Sequence, residues 1–355
     1  MTTPQKIPAI VLGGTGYVSG ELLRLIAGHP NFTLAGVMSD SSPGESAGKS
    51  FPHLAAVLGD MKFKSQADIA GILSKEPSAA VFCAAPHGAA AALIDSLLKA
   101  AESAGTKPRF VDISADFRYA TAAAYEAVYK HPHGAPARLA QFTCAVPEHL
   151  KAASTPHVAH PGCFSTAILL ASVPLIASGW VDPALFVSGV TGSTGSGRKP
   201  VEGTHHPTRH SDLYSYGALG HRHTPEIAAL AKVATGIDAD YSFVPHSGPF
   251  ARGIHATVQA RLKSAKDAAA VVGMLREFYA GAPFVRVLDS APRVKDIVAS
   301  NYAHLSAASN GRTVAVMSVV DNLNKGAAGG AVQWMNRLYG LPETAGLTAP
   351  AAGWT

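Results

Sequence analysis

The sequence predicts an α/β chain: a doubly wound parallel sheet followed by an α+β domain with a mixed sheet. Three observations carry this expectation. Short apolar runs of strand length alternate with helical stretches through the first half, the pattern of strand-helix-strand units that build parallel sheets. The first such run, Ile7 to Leu12, passes directly into a glycine cluster and then a helix. Past Cys163 the texture changes to strands with fewer helices between them. At 355 residues, 47% hydrophobic and 15% charged, the chain is long enough for two well-buried domains.

The elements follow in order. Residues 7–12 read as a buried parallel strand, the cluster Gly13-Gly14-Thr15-Gly16-Tyr17-Val18-Ser19-Gly20 as a tight turn, and 21–27 as an amphipathic helix. Strand, glycine turn and helix together read as a Rossmann-type arrangement, in which a dinucleotide pyrophosphate rests on the helix N-terminus at Gly13, Thr15, Gly16, Tyr17 and Val18. An ordinary strand-to-helix turn is the plainer alternative, and Ser19 stands where a third small glycine is expected. A second strand, 33–38, ends at Ser39-Asp40-Ser41-Ser42. There Asp40 favours a free ribose hydroxyl, whereas Ser39, Ser41 and Lys49 suit a 2'-phosphate; Asp40 capping the loop is a third reading. A strand at 79–84 leads into Pro86-His87-Gly88 and an alanine-rich helix to about residue 101. Another at 110–113 ends in Ser114-Ala115-Asp116-Phe117-Arg118, where Arg118 either grips an anion or serves a plain surface or ion-pair role.

Near the middle stands His160-Pro161-Gly162-Cys163-Phe164-Ser165-Thr166, a lone cysteine between a Pro-Gly break and an apolar helical run. A thiol at a helix N-terminus is favoured as thiolate, which makes Cys163 a candidate nucleophile; the alternative is a small buried hydrophobe. A strand at 184–190 then opens into Thr191-Gly192-Ser193-Thr194-Gly195-Ser196-Gly197-Arg198-Lys199, either an anion cradle or a flexible loop. His205, His206 and His210 precede Gly220-His221-Arg222-His223-Thr224-Pro225-Glu226-Ile227, with Thr224 expected as N-cap and Pro225 as the first helical residue. The histidines lack a zinc-ligand spacing such as H-E-x-x-H, so no metal is expected. Strands around 241–244, 253–262 and 313–319, a helix near 267–279 and a final helix near 326–339 complete the mixed domain, and the last dozen residues read as a loose tail.

Composition excludes several classes of function. A net charge of +5 without any Lys/Arg-rich run suits small anions rather than nucleic acid. Three widely spaced cysteines, Cys83, Cys144 and Cys163, point to a reducing cytoplasm rather than to disulfides or structural zinc. Neither a signal peptide nor a membrane span is expected, since the longest apolar stretch, 167–177, is short and contains Pro174.

Assembled, these residues resemble the N-acetyl-gamma-glutamyl-phosphate reductase family, relatives of aspartate-semialdehyde dehydrogenase. The resemblance rests on Gly13 to Tyr17, Ser114 to Arg118, His160 to Cys163, Ser188-Gly189 through Gly197-Arg198, His221 to Ile227, Pro245-His246 with Arg252-Gly253-Ile254, and Asn322 with Lys325 to Gly329. It covers nearly the whole chain. Departures are Ser19, Phe164-Ser165 for Tyr-Pro, Gly330 for Gln and Trp334 for Asn. The resemblance implies NADPH-dependent reduction of an acyl phosphate through a thioester on Cys163, with His221 as general acid/base and His223 its supporting neighbour. It implies NADP(H) contacts from Pro86, Ser193, Gly195 and Asn322 beside the glycine turn, Ser39 and Ser41. It also implies substrate contacts from Arg118, Ser188, Arg198 and Arg252. The expected division is a dinucleotide-binding domain, 1–160 joined by 326–355, and a catalytic and oligomerisation domain, 161–325, in a homo-oligomer. Other acyl-phosphate reductases and a non-catalytic dinucleotide sensor compete with this reading; His221-Arg222-His223 favours the arginine-pathway enzyme, and the retained Cys163 argues against a sensor.

Overall fold

A computed structural model describes residues 6–353, and the chain separates into two compact units. The first takes the residues through Ala145, then Ala152–His160 and Ala328–Thr348; the second takes Val146–Lys151, Pro161–Ala327 and the residues from Ala349 on.

In the first unit, Ala9 to Leu12 have no exposed surface, as expected of a continuous apolar run covered on both sides. This strand, β1 (Ile7–Leu12), pairs in parallel with β2 (Phe32–Met38) and β3 (Ala80–Cys83). With β4 (Arg109–Asp112), β5 (Phe142–Cys144) and β6 (His157–Ala159) they form a wholly parallel sheet in the order β2-β1-β3-β4-β6-β5. Connecting helices include α1 (Tyr17–Ala27), α2 (Gln66–Leu73) and α3 (Ala90–Ala104). The carboxylate of Asp68 and the hydroxyl of Ser65 close α2 with a reciprocal capping box, while α3 stops at Gly105 in the left-handed region (φ 74°). Helix α1 begins at Tyr17, four residues before the expected start, because Gly16 rather than Gly20 is the last extended residue.

The second unit holds a seven-stranded mixed sheet of β7 (Val181–Thr191), β8 (Tyr214–Ser215), β9 (Asp240–Ser247), β10 (Ile254–Leu262), β11 (Val285–Val287), β12 (Ala303–Ser309) and β13 (Thr313–Val320). Its order is β11-β12-β13-β10-β7-β9-β8, parallel at β7/β9 and β11/β12 and antiparallel elsewhere. Helix α4 (Cys163–Ala177) packs on β7, β10 and β13, α5 (Thr224–Thr235) packs on α4 and β9, and α6 (Ala268–Phe278) packs on β12.

Helix α4 is buried on every side from Phe164 to Ile176 and runs straight through Pro174. A proline there removes the N-H that would bond the carbonyl of Leu170, four residues back. The hydroxyl of Tyr279 donates to that carbonyl instead, at 2.7 Å.

Two expectations are corrected at the ends of elements. Thr224 does not cap α5: the helix begins at Thr224 itself, His223 is the flanking residue, and the Thr224 hydroxyl is buried without a partner. The final helix is two pieces, a π-helical turn at Asn324–Ala328 and α7 (Gly329–Leu338), and the described part of the tail is anchored rather than loose. Leu347 is 2% exposed and Glu343 pairs with Arg337. Helix α7 lies against β4 and α1, where Trp334, with no exposed surface, donates its indole N-H to the Ala145 carbonyl.

Candidate active site

The glycine turn of the first unit has the shape its sequence implies. Gly13 (φ 114°) passes so close to β3 that a Cβ would lie 2.4 Å from the Ala84 carbonyl, and a Cβ on Gly14 (φ 57°) would lie 2.7 Å from the Ser39 hydroxyl. Only glycine fits either position. Gly16 then opens α1 with no side-chain cap, so first-turn N-H groups face the turn. The turn therefore joins Gly13, Thr15, Gly16, Tyr17 and Val18 to Ser39 on one side and to the segment before Pro86 on the other. Ser39 is buried with its hydroxyl 3.3 Å from that of Ser41, and Asp40 is exposed. A backbone cradle beside a pair of hydroxyls fits a phosphorylated dinucleotide. Close packing of α1, credited in the sequence to the position of Ser19, is met one residue later: a Cβ on Gly20 would meet the Phe51 ring at 2.9 Å.

At the carboxyl end of β4, Asp112 accepts from the Ser114 N-H and hydroxyl. Burial raises the Asp112 carboxyl to about 6, and the neighbouring Asp116 adds to that shift. Asp116 accepts from the N-H groups of Gly88 and Ala91 and from the Tyr125 hydroxyl. Arg118, 8% exposed, donates from Nε to the His160 carbonyl at 3.1 Å and from Nη2 to the Ile113 carbonyl at 2.8 Å. Its guanidinium is thereby fixed in place rather than left on the surface.

In the second unit, Cys163 is the first residue of α4, after the N-cap Gly162 (ψ 154°) and the buried Pro161. The backbone of Gly326, inside the π-helical turn, presses against it: a Cβ there would come within 2.8 Å of the Cys163 Cβ. Such single π turns recur where a helix is distorted around a functional group. The next residue, Phe164, packs under β7, where a Cβ on Gly189 would collide with its ring at 2.6 Å. Glu226, 1% exposed, accepts the Gly162 N-H at 2.7 Å and so ties the first turn of α5 to the residue before the thiol.

His221 sits among the rings of Phe164, Tyr216 and Phe243, with centroids 5.8, 5.7 and 5.4 Å away. Burial lowers its pKa to about 4 and the Arg222 charge lowers it further, so His221 is neutral at cellular pH. The causes are desolvation first and the Arg222 charge second. The pair is also not extended, since His223 has helical torsions (φ −81°, ψ −15°), and the two rings meet edge to face at 4.8 Å. The Nδ1 of His221 accepts the His223 backbone N-H at 3.2 Å, a geometry that assigns its proton to Nε2. Tyr216, whose phenol is pushed up by burial and by the Cys163 charge, adds a hydroxyl to this group.

Asn322 joins the donor loop to β10: its Oδ1 accepts the Gly253 N-H at 2.7 Å and its Nδ2 donates to the Thr194 hydroxyl at 3.0 Å, beside Ser193 and Gly195. Two of the expected substrate residues have surroundings of their own. Ser188 projects to the exposed face of β7, because Val187 and Gly189 point toward α4 and side chains alternate along a strand; it is turned away from the thiol. The fork of Arg252 is held by buried Asp321 at 3.0 and 3.1 Å, a structural pair at the start of β10. Arg198 is exposed at the end of the donor loop. Among the described residues, no group of three or more His, Cys, Asp or Glu side chains is arranged to hold a metal ion. Glu226, Tyr216 and Gly326 were not singled out from the sequence; the three-residue step from His223 to Glu226 was the signal available for the first of them.

Comparison with known proteins agrees with this geometry. The family model described as "Semialdehyde dehydrogenase, NAD binding domain" matches residues 8–152, and "Semialdehyde dehydrogenase, dimerisation domain" matches 163–322. A Nitrosococcus oceani protein named N-acetyl-gamma-glutamyl-phosphate reductase is 38% identical over 96% of this chain and 98% of its own length. A Symbiobacterium thermophilum protein of the same name is 36% identical over 95% and 96%. Among solved structures, aspartate semialdehyde dehydrogenase II of Vibrio cholerae (TM-score 0.68, 16% identity, 94% of this chain and 98% of that one) shares the fold. So does the aspartate semialdehyde dehydrogenase of Candida albicans with NADP (TM-score 0.67, 16% identity, 94% and 98%). With a glycine cradle, a helix-terminal cysteine and relatives of this identity along its length, the chain belongs to the N-acetyl-gamma-glutamyl-phosphate reductase family of semialdehyde dehydrogenases.

Proposed function

We propose that the chain reduces N-acetyl-L-glutamyl 5-phosphate to N-acetyl-L-glutamate 5-semialdehyde with NADPH, releasing phosphate, as a step of arginine biosynthesis. The observation that carries this reading is Cys163 as first residue of α4, closed in by Gly326 and near the His221/His223 pair, in a chain of this family.

The thiolate of Cys163 attacks the acyl carbonyl; the C-O bond to phosphate breaks and a thioester forms. The glycine turn would hold NADPH, which when bound would supply the hydride for reduction of the thioester. Collapse of the resulting thiohemiacetal releases the aldehyde and returns the thiolate.

The two histidines divide the remaining work in the reverse of the sequence expectation. With Nδ1 already accepting a backbone N-H, His221 presents an Nε2-H, which suits donation to the substrate carbonyl oxygen as negative charge develops there. His223, buried beside the first turn of α5, is the general acid/base in this reading. Arg118, oriented by the two carbonyls it binds, grips the phosphoryl group; Arg198 meets the substrate carboxylate; Arg252 acts through Asp321 as a positioning residue. The NADP(H) contacts proposed are Gly13, Thr15, Gly16, Tyr17, Val18, Ser39, Ser41 and Pro86, with Ser193, Gly195 and Asn322 added on the family resemblance.

The functional division follows as 1–160 with 326–355 for the cofactor and 161–325 for chemistry and assembly. A homo-oligomer is supported by the matched dimerisation domain and by the open face of the second sheet, where Phe186 is 59% exposed. No helix among the described residues is long and apolar enough to cross a membrane, and we place the enzyme in the cytoplasm, where thiols stay reduced. The deciding assay runs the reaction backwards, N-acetylglutamate semialdehyde plus phosphate with NADP and NAD in parallel. Phosphate-dependent reduction of NADP is expected, faster than that of NAD. Absence of phosphate dependence would reject the acyl-phosphate chemistry, and equal efficiency with NAD would show that Asp40 reads a free ribose.

A further inference from the structure

Lys325 and Glu148, both in the second unit, form an ion pair that the proposed reaction does not use. Their side chains are 0% and 1% exposed, and the Lys325 Nζ donates to Oε1 of Glu148. The buried ring of Phe284 lies 5.7 Å from the same ammonium. Taking two charges out of water costs about as much as their attraction returns, and an apolar pair of similar volume is often as stable or more so. Stability alone therefore gives no reason to keep this pair. What paired charges supply is a fixed register, which apolar side chains leave free to slip.

The register at stake is that of the π turn. Lys325 is its second residue, and the next, Gly326, has its backbone against Cys163: a Cβ on it would stand 2.8 Å from the Cys163 Cβ and 3.0 Å from the Cα. One side of the turn is held by Asp321. Its carboxylate accepts the N-H groups of Leu323, Asn324 and Ala299, and its carbonyl accepts that of Gly326 at 2.9 Å. The other side is held where Lys325 reaches Glu148 in the short turn Pro147–His149. That short turn also meets α4, since the His149 Nε2 lies 3.0 Å from the Tyr279 hydroxyl that donates to the Leu170 carbonyl. The pair thus links the helix that carries the thiol to the turn that closes on it. We propose that Lys325 and Glu148 are positioning residues for Cys163, their buried pair locking the π turn so that the Gly326 backbone covers one side of the Cys163 side chain. This rests on Cys163 being the nucleophile of the proposed reduction; for such a group a misplacement of about 1 Å slows the reaction about a hundredfold.

The test replaces the pair together, Glu148→Leu with Lys325→Met, so that neither charge is left buried alone. Alkylation of Cys163 and Cys83 by N-ethylmaleimide is followed separately by mass spectrometry in the full chain, beside urea unfolding, NADP affinity and the reverse reductase assay. Cys163 should be alkylated faster by about fivefold or more, because the turn no longer covers it, while buried Cys83 in the first unit keeps its wild-type rate. Turnover should move the other way: kcat falls by about tenfold or more with KM changed less than about twofold, and the urea midpoint and NADP affinity stay at or above wild type. A wild-type alkylation rate at Cys163 or a wild-type kcat would overturn the proposal. Equal acceleration at Cys83 and Cys163 would overturn it too, because the whole chain would then have loosened. Should the double variant fail to fold, Glu148→Gln, which keeps an acceptor and removes the anion, must accelerate Cys163 alkylation in the same direction, and an unchanged rate would overturn the proposal equally. Alkylation is read without substrate, so a wild type inactive in the reductase assay counts against the proposed reaction and is distinguished from a failure of the pair to hold the turn.

Discussion

Cys83 and Cys163 meet opposite fates in the same chain. Burial pushes the Cys83 thiol well up, Asp112 pushes it further, and Cys83 has no exposed surface, so it is inert. Cys163 is partly exposed at a helix start. Cys163→Ser should therefore lower turnover by roughly 10⁴ or more, as loss of a covalent nucleophile does, while NADP binding persists; Cys83→Ser and Cys144→Ser should keep most of their turnover. Substantial reductase activity in Cys163→Ser would end the thioester mechanism. The histidine pair gives a second measurable difference. A group with pKa about 4 cannot produce a rate limb near neutrality, so such a limb is not that of His221, and the proposed general acid/base, His223, is where it is tested. His223→Asn should lower kcat by about 10² to 10⁴ and erase that limb, whereas His221→Asn should lower kcat and leave the limb standing. The opposite pattern would restore His221 as the base. This distinction was not legible in the sequence. His221 and His223 stand two apart, which reads as one face of an extended segment, and only the turn at His223 shows that the first ring accepts the N-H of the second.

At the level of elements, α4 shows how a proline is retained inside a buried helix. Tyr279, at the C-terminal end of α6, donates to the Leu170 carbonyl that Pro174 leaves without an N-H. Tyr279→Phe should cost about 1–3 kcal/mol in urea unfolding, because a buried carbonyl loses its donor. In a Pro174→Ala background, where the N-H returns, the same change should cost less by about 1 kcal/mol. Equal costs in both backgrounds would mean that the hydroxyl matters only through His149, whose Nε2 lies 3.0 Å from it. Elements that carry their own signal were readable: β1 from its apolar run, the glycine turn, and α4 from the Pro-Gly break before Cys163. What depends on distant packing was not. The π turn that places Gly326 against Cys163 has no local pattern, and the exposed face on which Ser188 lies follows from the two-residue alternation of its strand rather than from the motif.

Across the whole molecule, buried titratable groups set the response to acid. Burial lowers His149, His157 and His221 to about 4, below the 6.5 of the unfolded chain. Their contribution to stability is complete above pH 6.5 and is lost as pH falls from there toward 4, because the unfolded state takes up protons first. Asp112 works oppositely: raised to about 6, it binds a proton more readily when folded, so it offsets part of the loss between pH 6 and 3.8. With these three and with His29, His255 and His304 also lowered by burial, against Asp112 alone, the melting temperature should drop steadily from pH 7 to pH 4.5; a flat profile would show that these histidines are solvated in the native state.

The position of α7 has a consequence for biosynthesis. Trp334 fills the core of the first unit, Asn336 meets His29 at 3.1 Å, and Tyr339 meets Ser78 at 3.0 Å, so residues from the last tenth of the chain complete contacts begun by the first. During translation the parallel sheet emerges early, yet its final helix follows only after Pro161–Ala327 of the second unit has been synthesised. The nascent first unit must therefore wait, with the surface that Trp334 will cover still apolar and uncovered, until α7 has emerged from the ribosome. Nascent chains halted before Gly329 should expose that surface to chaperones and proteases, while those extended beyond Leu347 and clear of the exit tunnel should resist cleavage.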